Sequence, residues 1–128
     1  MDDRRITKQI IGCAYEVYNT LGFGFLESVY ERCMVIELAG VGLKAQAQAS
    51  IPVFYKGHDV GSFFADLLVE DRIVVELKSV RQVVQAHEVQ LVNYLTATNT
   101  DVGLLLNFAA RKVEVKRKMR LLPEPVSF

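Results

Sequence analysis

The chain is 128 residues long with 51% hydrophobic residues, enough for one domain with one core. Fifteen basic residues balance fifteen acidic ones, so no global field selects nucleic acid or a membrane, and a polyanion needs a local patch or metal ions to be held. No apolar run approaches the roughly 18 residues of a spanning helix, and no signal peptide precedes the two cysteines, Cys13 and Cys33. Both lie in apolar helical patterns, which points to buried free thiols in a soluble, cytoplasmic protein.

Ile6, Ile10, Cys13, Ala14, Val17 and Leu21 recur at helical spacing, with Asp2 and Asp3 where negative charge suits a helix start. Gly22 and Gly24 break the pattern. A second helix is predicted from about Phe25 to Ala39, with Leu26, Val29, Cys33 and Ile36 on one face and Gly40 and Gly42 at its end. KAQAQASIPVFY then alternates as a strand does, and Pro52 marks part of it as an edge or a bulge. KGHD (56–59) is a turn signal, VGSFFADLLVE a second strand and DRIVVELKSV a third. Helical spacing returns through Val84, Val89, Val92 and Leu95. VGLLLNF reads as a strand buried on both faces, and KVEVKRKMR as a closing edge strand. The order is ααβββαββ. Turns join the first three strands, and the last helix supplies the crossover that a parallel neighbour requires, so a mixed α/β sheet of about four to five strands flanked by helices is expected.

Asp66, Glu76 and Lys78 interrupt the apolar strands. Glu76 and Lys78, two apart, share a face. Asp66 joins them if the turn near Asp71 has three residues, whereas a two-residue turn at Glu70 and Asp71 sends it to the other face. The run lacks the Asn-Gly or Gly-Gly pair that two-residue turns prefer. Converging carboxylates repel, and one lysine does not neutralise two of them. A hard divalent ion does, and Mg²⁺ binds through one or two carboxylates while keeping waters for phosphate. With a lysine to manage water or a pentacovalent phosphate, such a set suits phosphodiester hydrolysis.

These residues carry a resemblance. Asp66 with Glu76-Leu77-Lys78 looks like the signature of the PD-(D/E)XK nuclease superfamily, and GFLESVY, with Gly24, Glu27 and Tyr30, resembles the motif of its GxxExxY branch. The likeness continues through HEVQLVNYL and VGLLLNF over nearly the whole chain, as a single nuclease-like domain (1–128). It implies a restriction-endonuclease-like core and a Mg²⁺- or Mn²⁺-dependent nuclease. Glu27, Asp66, Glu76 and the Leu77 carbonyl would hold metal. Asp66, Glu76, Lys78 and Gln90 would carry catalysis, while Tyr30, His87 and Tyr94 would contact substrate. The implied partner is nucleic acid, DNA ahead of RNA, without a membrane, and a homodimer or partner protein would help so small a chain grip a duplex. Phe23, Ala65 and Asp71 depart from the family pattern at turns and before the first acid, and none of the three removes a chemical group.

Plainer readings stand beside these. Glu27 suits a helix dipole, Tyr30 a core aromatic with a satisfied hydroxyl, and Asp66 with Lys78 an exposed cross-strand ion pair. His87, Gln90 and Tyr94 form one helix stripe, but one imidazole among oxygens is no zinc site. The basic run 111–120 suits a solvated edge strand. The rival to an enzyme is a nuclease fold without turnover, used for binding or regulation.

Overall fold

A computed structural model describes residues 2–121. Helix α1 (Asp3–Leu21) starts at Asp2, whose carboxylate accepts the Arg5 amide, and ends at Gly22. Helix α2 spans Glu27–Gly40. Strands β1 (Ala45–Tyr55), β2 (His58–Val69) and β3 (Ile73–Lys78) precede α3 (Gln85–Ala97), and β4 (Val102–Phe108) and β5 (Val113–Met119) follow it. The sheet has the order β1-β2-β3-β4-β5. Only β3 and β4 run parallel, joined through α3, and the other pairs are antiparallel. The expected α/β arrangement, ααβββαββ with a mixed sheet, is the one observed.

Two cores sandwich the sheet. Ile6, Ile10, Cys13, Ala14 and Val17 of α1, with Tyr30, Met34 and Leu38 of α2, pack on Leu67, Val75, Leu77, Leu104 and Leu106. On the other face, Leu91 and Leu95 of α3 cover Phe63, Ala65, Val74 and Leu105. Gly103 lets this helix sit close, since a Cβ there would stand 3.1 Å from side-chain atoms of both leucines, which would have to give by a few tenths of an ångström. Strand β4 is buried along its length, as its unbroken apolar run predicts. Strand β1, with Pro52, is indeed an edge and carries an irregularity at Val53/Phe54.

Three details differ from expectation. The outer stripe of α2 is not the core one: Leu26 and Ile36 are exposed and Cys33 only half-buried, while Tyr30, Met34 and Leu38 point inward. The helix is apolar on two faces, so periodicity does not choose between them. Tyr30 does, because its ring stacks on Phe108 at 4.1 Å and its hydroxyl donates to the Gly22 carbonyl at 2.7 Å. On α3, Val84 and Val89 are exposed, and Leu91 takes the core position beside Leu95. The KGHD turn shrinks to Lys56 and Gly57, both at positive φ, because His58 and Asp59 already belong to β2.

Asn107 pins the chain just past β3. It is fully buried. Its amide donates to the Val80 carbonyl and to Glu114, and its oxygen accepts the Val80 amide, each at 2.8 to 2.9 Å. Replacing it with leucine strands the Val80 backbone groups, and a buried unpaired group costs about 1–3 kcal/mol. Asn107→Leu is expected to lower the unfolding free energy by roughly 2–4 kcal/mol. Chemical denaturation checks this, and a loss below 1 kcal/mol, on the order of one ordinary hydrogen bond, contradicts the pinning role.

Candidate active site

The turn between β2 and β3 has three residues, 70–72, with Val69 opposite Ile73. Glu70 and Asp71 both take positive φ near 55°, and the Arg72 amide closes on the Val69 carbonyl at 3.0 Å. Glu70 is tied down as well, accepting the Lys44 amide at 2.8 Å. This odd turn continues the register of Leu67 with Val75, and so aligns Asp66 with Glu76.

The ladder between β2 and β3 stops there. The Asp66 amide donates to Glu76 Oε1 at 3.3 Å, and the Leu77 amide donates to Asp66 Oδ2 at 2.8 Å. Two carboxylates thus replace backbone carbonyls where the strands part. The pleat inverts at the same point. Leu67 and Val69 face the α1/α2 core while Phe63 and Ala65, of the same parity, face α3. Strand β1 inverts alongside, with Ala45 on the first side and Ile51 and Val53 on the second. Between them Gln48 sits at φ 50° and drops out of the ladder. A left-handed non-glycine residue costs on the order of 1 kcal/mol. What the kink achieves is placement: Gln48 Nε2 lies 2.9 Å from Glu31 Oε2 and 3.4 Å from Asp66 Oδ1.

Electrostatically the pair is under tension. Burial, the Asp66 charge and a hydrogen bond shared with Asp66 push Glu76 up to about 8, against weaker opposing help from the Asp66 amide and Lys78. Burial beside the Asp66 charge therefore favours the protonated form of Glu76 at neutral pH. Lys78 is half-buried on the same face as Glu76, and it has no ion-pair partner among the described residues. The exposed Asp66–Lys78 ion pair of the plainer reading is not formed.

A cleft of about 360 Å³ opens between the parted strands and α3, and Ser62, Phe64, Glu76, Lys78, His87, Gln90 and Tyr94 all line it. The helix stripe of His87, Gln90 and Tyr94 therefore meets the strand residues. Tyr94 stacks on Phe63 at 4.0 Å, and His87 Nδ1 accepts the Val84 amide at 3.4 Å, which ties the ring to the start of α3.

Two of the candidates lie elsewhere. Tyr30 is fully buried and stacked, so a substrate contact is corrected to a core role, set by the hydroxyl bond to Gly22. Glu27 is exposed in the first turn of α2 and lines a separate depression with Phe25, Ser79 and Arg81, a placement set by the 22–26 loop that Ser79 ties to the Phe25 carbonyl at 2.7 Å. Glu31, one turn further along α2, is the helix acid that reaches the pair, through Gln48. Neither Glu31 nor Gln48 stands out in the sequence, because the link depends on the left-handed kink at Gln48. Among the described residues no group of three or more acidic, histidine or cysteine side chains is close enough to hold a metal ion together. The donors that do converge are Asp66, Glu76 and the Leu77 backbone. In a strand the N–H and C=O of one residue share an edge, so the Leu77 carbonyl faces the side from which its amide meets Asp66. Two carboxylates, a carbonyl and room for waters fit a hard divalent cation.

A family model described as the PD-(D/E)XK nuclease superfamily matches residues 4–118. No curated protein matches the chain. The solved structure of SSO0001 resembles the fold with a TM-score of 0.58 at 19% identity, over 75% of this chain and 50% of that one. The chain thus spans half the length of that relative.

Proposed function

The chain belongs to the PD-(D/E)XK nuclease superfamily, and from that premise we propose that it hydrolyses phosphodiester bonds of nucleic acid with Mg²⁺ or Mn²⁺. Nucleases of this superfamily are generally dependent on divalent metals. The observation that carries the reading is the Asp66–Glu76 pair, held together where β2 and β3 part, with Glu76 lining a cleft that also holds an unpaired lysine.

Asp66, Glu76 and the Leu77 carbonyl would hold the ion, which when bound supplies Lewis acidity toward a phosphoryl oxygen and toward water. Asp66 is oriented for this by the Leu77 amide and by Gln48. Lys78 holds the attacking water and stabilises charge on the pentacovalent phosphate. Gln90, exposed on α3 across the same cleft, donates to phosphate or steadies Lys78. His87 and Tyr94 contact the nucleotide beside the scissile bond. Glu27 lies apart from this set and is read as an acid at a helix start. Membership of the GxxExxY branch is consistent with Gly24, Glu27 and Tyr30, whose buried tyrosine fixes the glycine loop. No helix among the described residues is long and apolar enough to cross a membrane, and two free cysteines suit a reducing, cytoplasmic setting.

Labelled single-stranded, duplex and branched DNA and RNA, incubated with Mg²⁺ or Mn²⁺ and with chelator as control, test the proposal. Metal-dependent cleavage of at least one substrate is expected, with DNA ahead of RNA. Absence of cleavage across the whole panel, with a properly folded protein, favours a binding module without turnover.

A further inference from the structure

Among the described residues the outer stripe of α2 is covered in part, where Cys33 packs against the first core, and is otherwise open. Leu26, the extended residue that caps α2, and Val29, Cys33, Ile36 and Gly40 within the helix follow one another at intervals of three and four residues, the heptad spacing of a two-helix seam. Leu26 is 73% and Ile36 69% exposed, while Val29 and Cys33 are half-buried. Beside the stripe a groove of about 140 Å³ runs between α1 and α2, lined by Val17, Thr20, Leu21, Cys33, Ile36 and Glu37. Apolar side chains on both faces of one helix are what a helix needs when it packs inward on its own core and outward on something else.

The flanking charges say what that something is. With Leu26, Cys33 and Gly40 at the first apolar heptad position and Val29 and Ile36 at the second, Arg32 and Glu37 flank the seam on opposite sides. They are five residues apart, the offset at which flanking positions of two parallel helices meet. An antiparallel pairing would instead set Arg32 beside Arg32 and Glu37 beside Glu37. Neither side chain has an ion-pair partner among the described residues. We propose that the outer face of α2 is the contact of a parallel homodimer, in which Leu26, Val29, Cys33 and Ile36 meet their counterparts in a second copy and Arg32 pairs with Glu37 across the seam, twice. The cleft lies on the opposite face of the sheet, so pairing leaves it open. The dimer does not depend on nuclease activity, and its test reads association alone.

Two heptads make a short seam, so association is read at protein concentrations on the order of 100 µM. Sedimentation equilibrium at low salt is expected to show a dimer. Arg32→Glu and Glu37→Arg alone are each expected to weaken it about tenfold, and the double reversal to restore it. Mild oxidation is expected to trap the dimer through Cys33, which faces its counterpart in a parallel seam, and Cys33→Ser to prevent the trapping. Ile36→Glu is expected to give a monomer with an unchanged thermal transition, since the side chain is outside the core. A wild-type monomer under these conditions overturns the proposal and leaves the face to some other protein. A dimer indifferent to both single charge reversals, or untrapped by oxidation, overturns the parallel seam.

Discussion

Lys78→Ala is expected to reduce metal-dependent cleavage by about 10²–10⁴-fold or more, the range for loss of a group acting on the transition state, while leaving the thermal transition in place. The side chain is half-buried at the end of β3, lines the cleft and makes no ion pair among the described residues, so its removal leaves no stranded partner. Its charge helps to hold Glu76 down, but as the weakest of the influences on that group. A structural lysine would show the opposite pattern, with stability lost and turnover of the folded fraction kept. Lys78→Arg separates charge from geometry, since a guanidinium keeps the cation but not the compact ammonium that binds one water. Cleavage by purified Lys78→Ala within a few-fold of wild type would remove Lys78 from the chemistry.

Glu76→Gln is expected to make the metal-free protein more stable at pH 8, by a few kcal/mol, and to leave it nearly unchanged at pH 4. The sign follows from the raised value of about 8 for the folded carboxyl against an ordinary 4.5. Below 4.5 both folded and unfolded chains are protonated at this position, and its contribution is fully present. As pH rises from 4.5 toward 8 the unfolded chain gives up the proton while the folded chain keeps it, so stability falls through that window. Glutamine keeps the shape and the hydrogen-bonding oxygen but cannot ionise, which removes the slope. The same variant is expected to lose cation-dependent cleavage, so a gain in stability accompanies a loss of function. Denaturation curves of both proteins between pH 4 and 9 decide it, and parallel profiles would mean that the pair is not strained.

Much of this site was legible in the chain because strands have a strict period. Glu76 and Lys78 share a face on any strand reading, and a three-residue turn around Asp71 was the single condition for Asp66 to join them. The turn obliges, through left-handed Glu70 and Asp71 rather than the glycine such positions favour. The stripe of His87, Gln90 and Tyr94 followed equally directly from helical spacing, and the crossover topology placed it over the same end of the sheet.

What stayed hidden has physical causes. Alternation in AQAQASIPVFY suggests a uniform strand, yet the pleat inverts at Gln48, and no composition rule anticipates left-handed glutamine. Glu31 consequently reaches the pair, where the motif favours Glu27. On α2, two apolar stripes competed for the core, and the one containing Tyr30 won because Phe108 and the Gly22 carbonyl complete it. Asn107 reads in VGLLLNF as the end of a strand, and only its three bonds to Val80 and Glu114 show it as a buried anchor.

Titration calorimetry of Mg²⁺ and Mn²⁺ into the protein at pH 7, repeated in buffers of different ionisation enthalpy, tests the cation site directly. Binding with release of about one proton is expected, because the ion displaces the proton that burial favours on Glu76. Both the heat and the proton release should vanish in Asp66→Ala. No binding heat from either ion at millimolar concentration, or identical titrations of wild type and Asp66→Ala, would contradict the assignment of this pair as the metal centre.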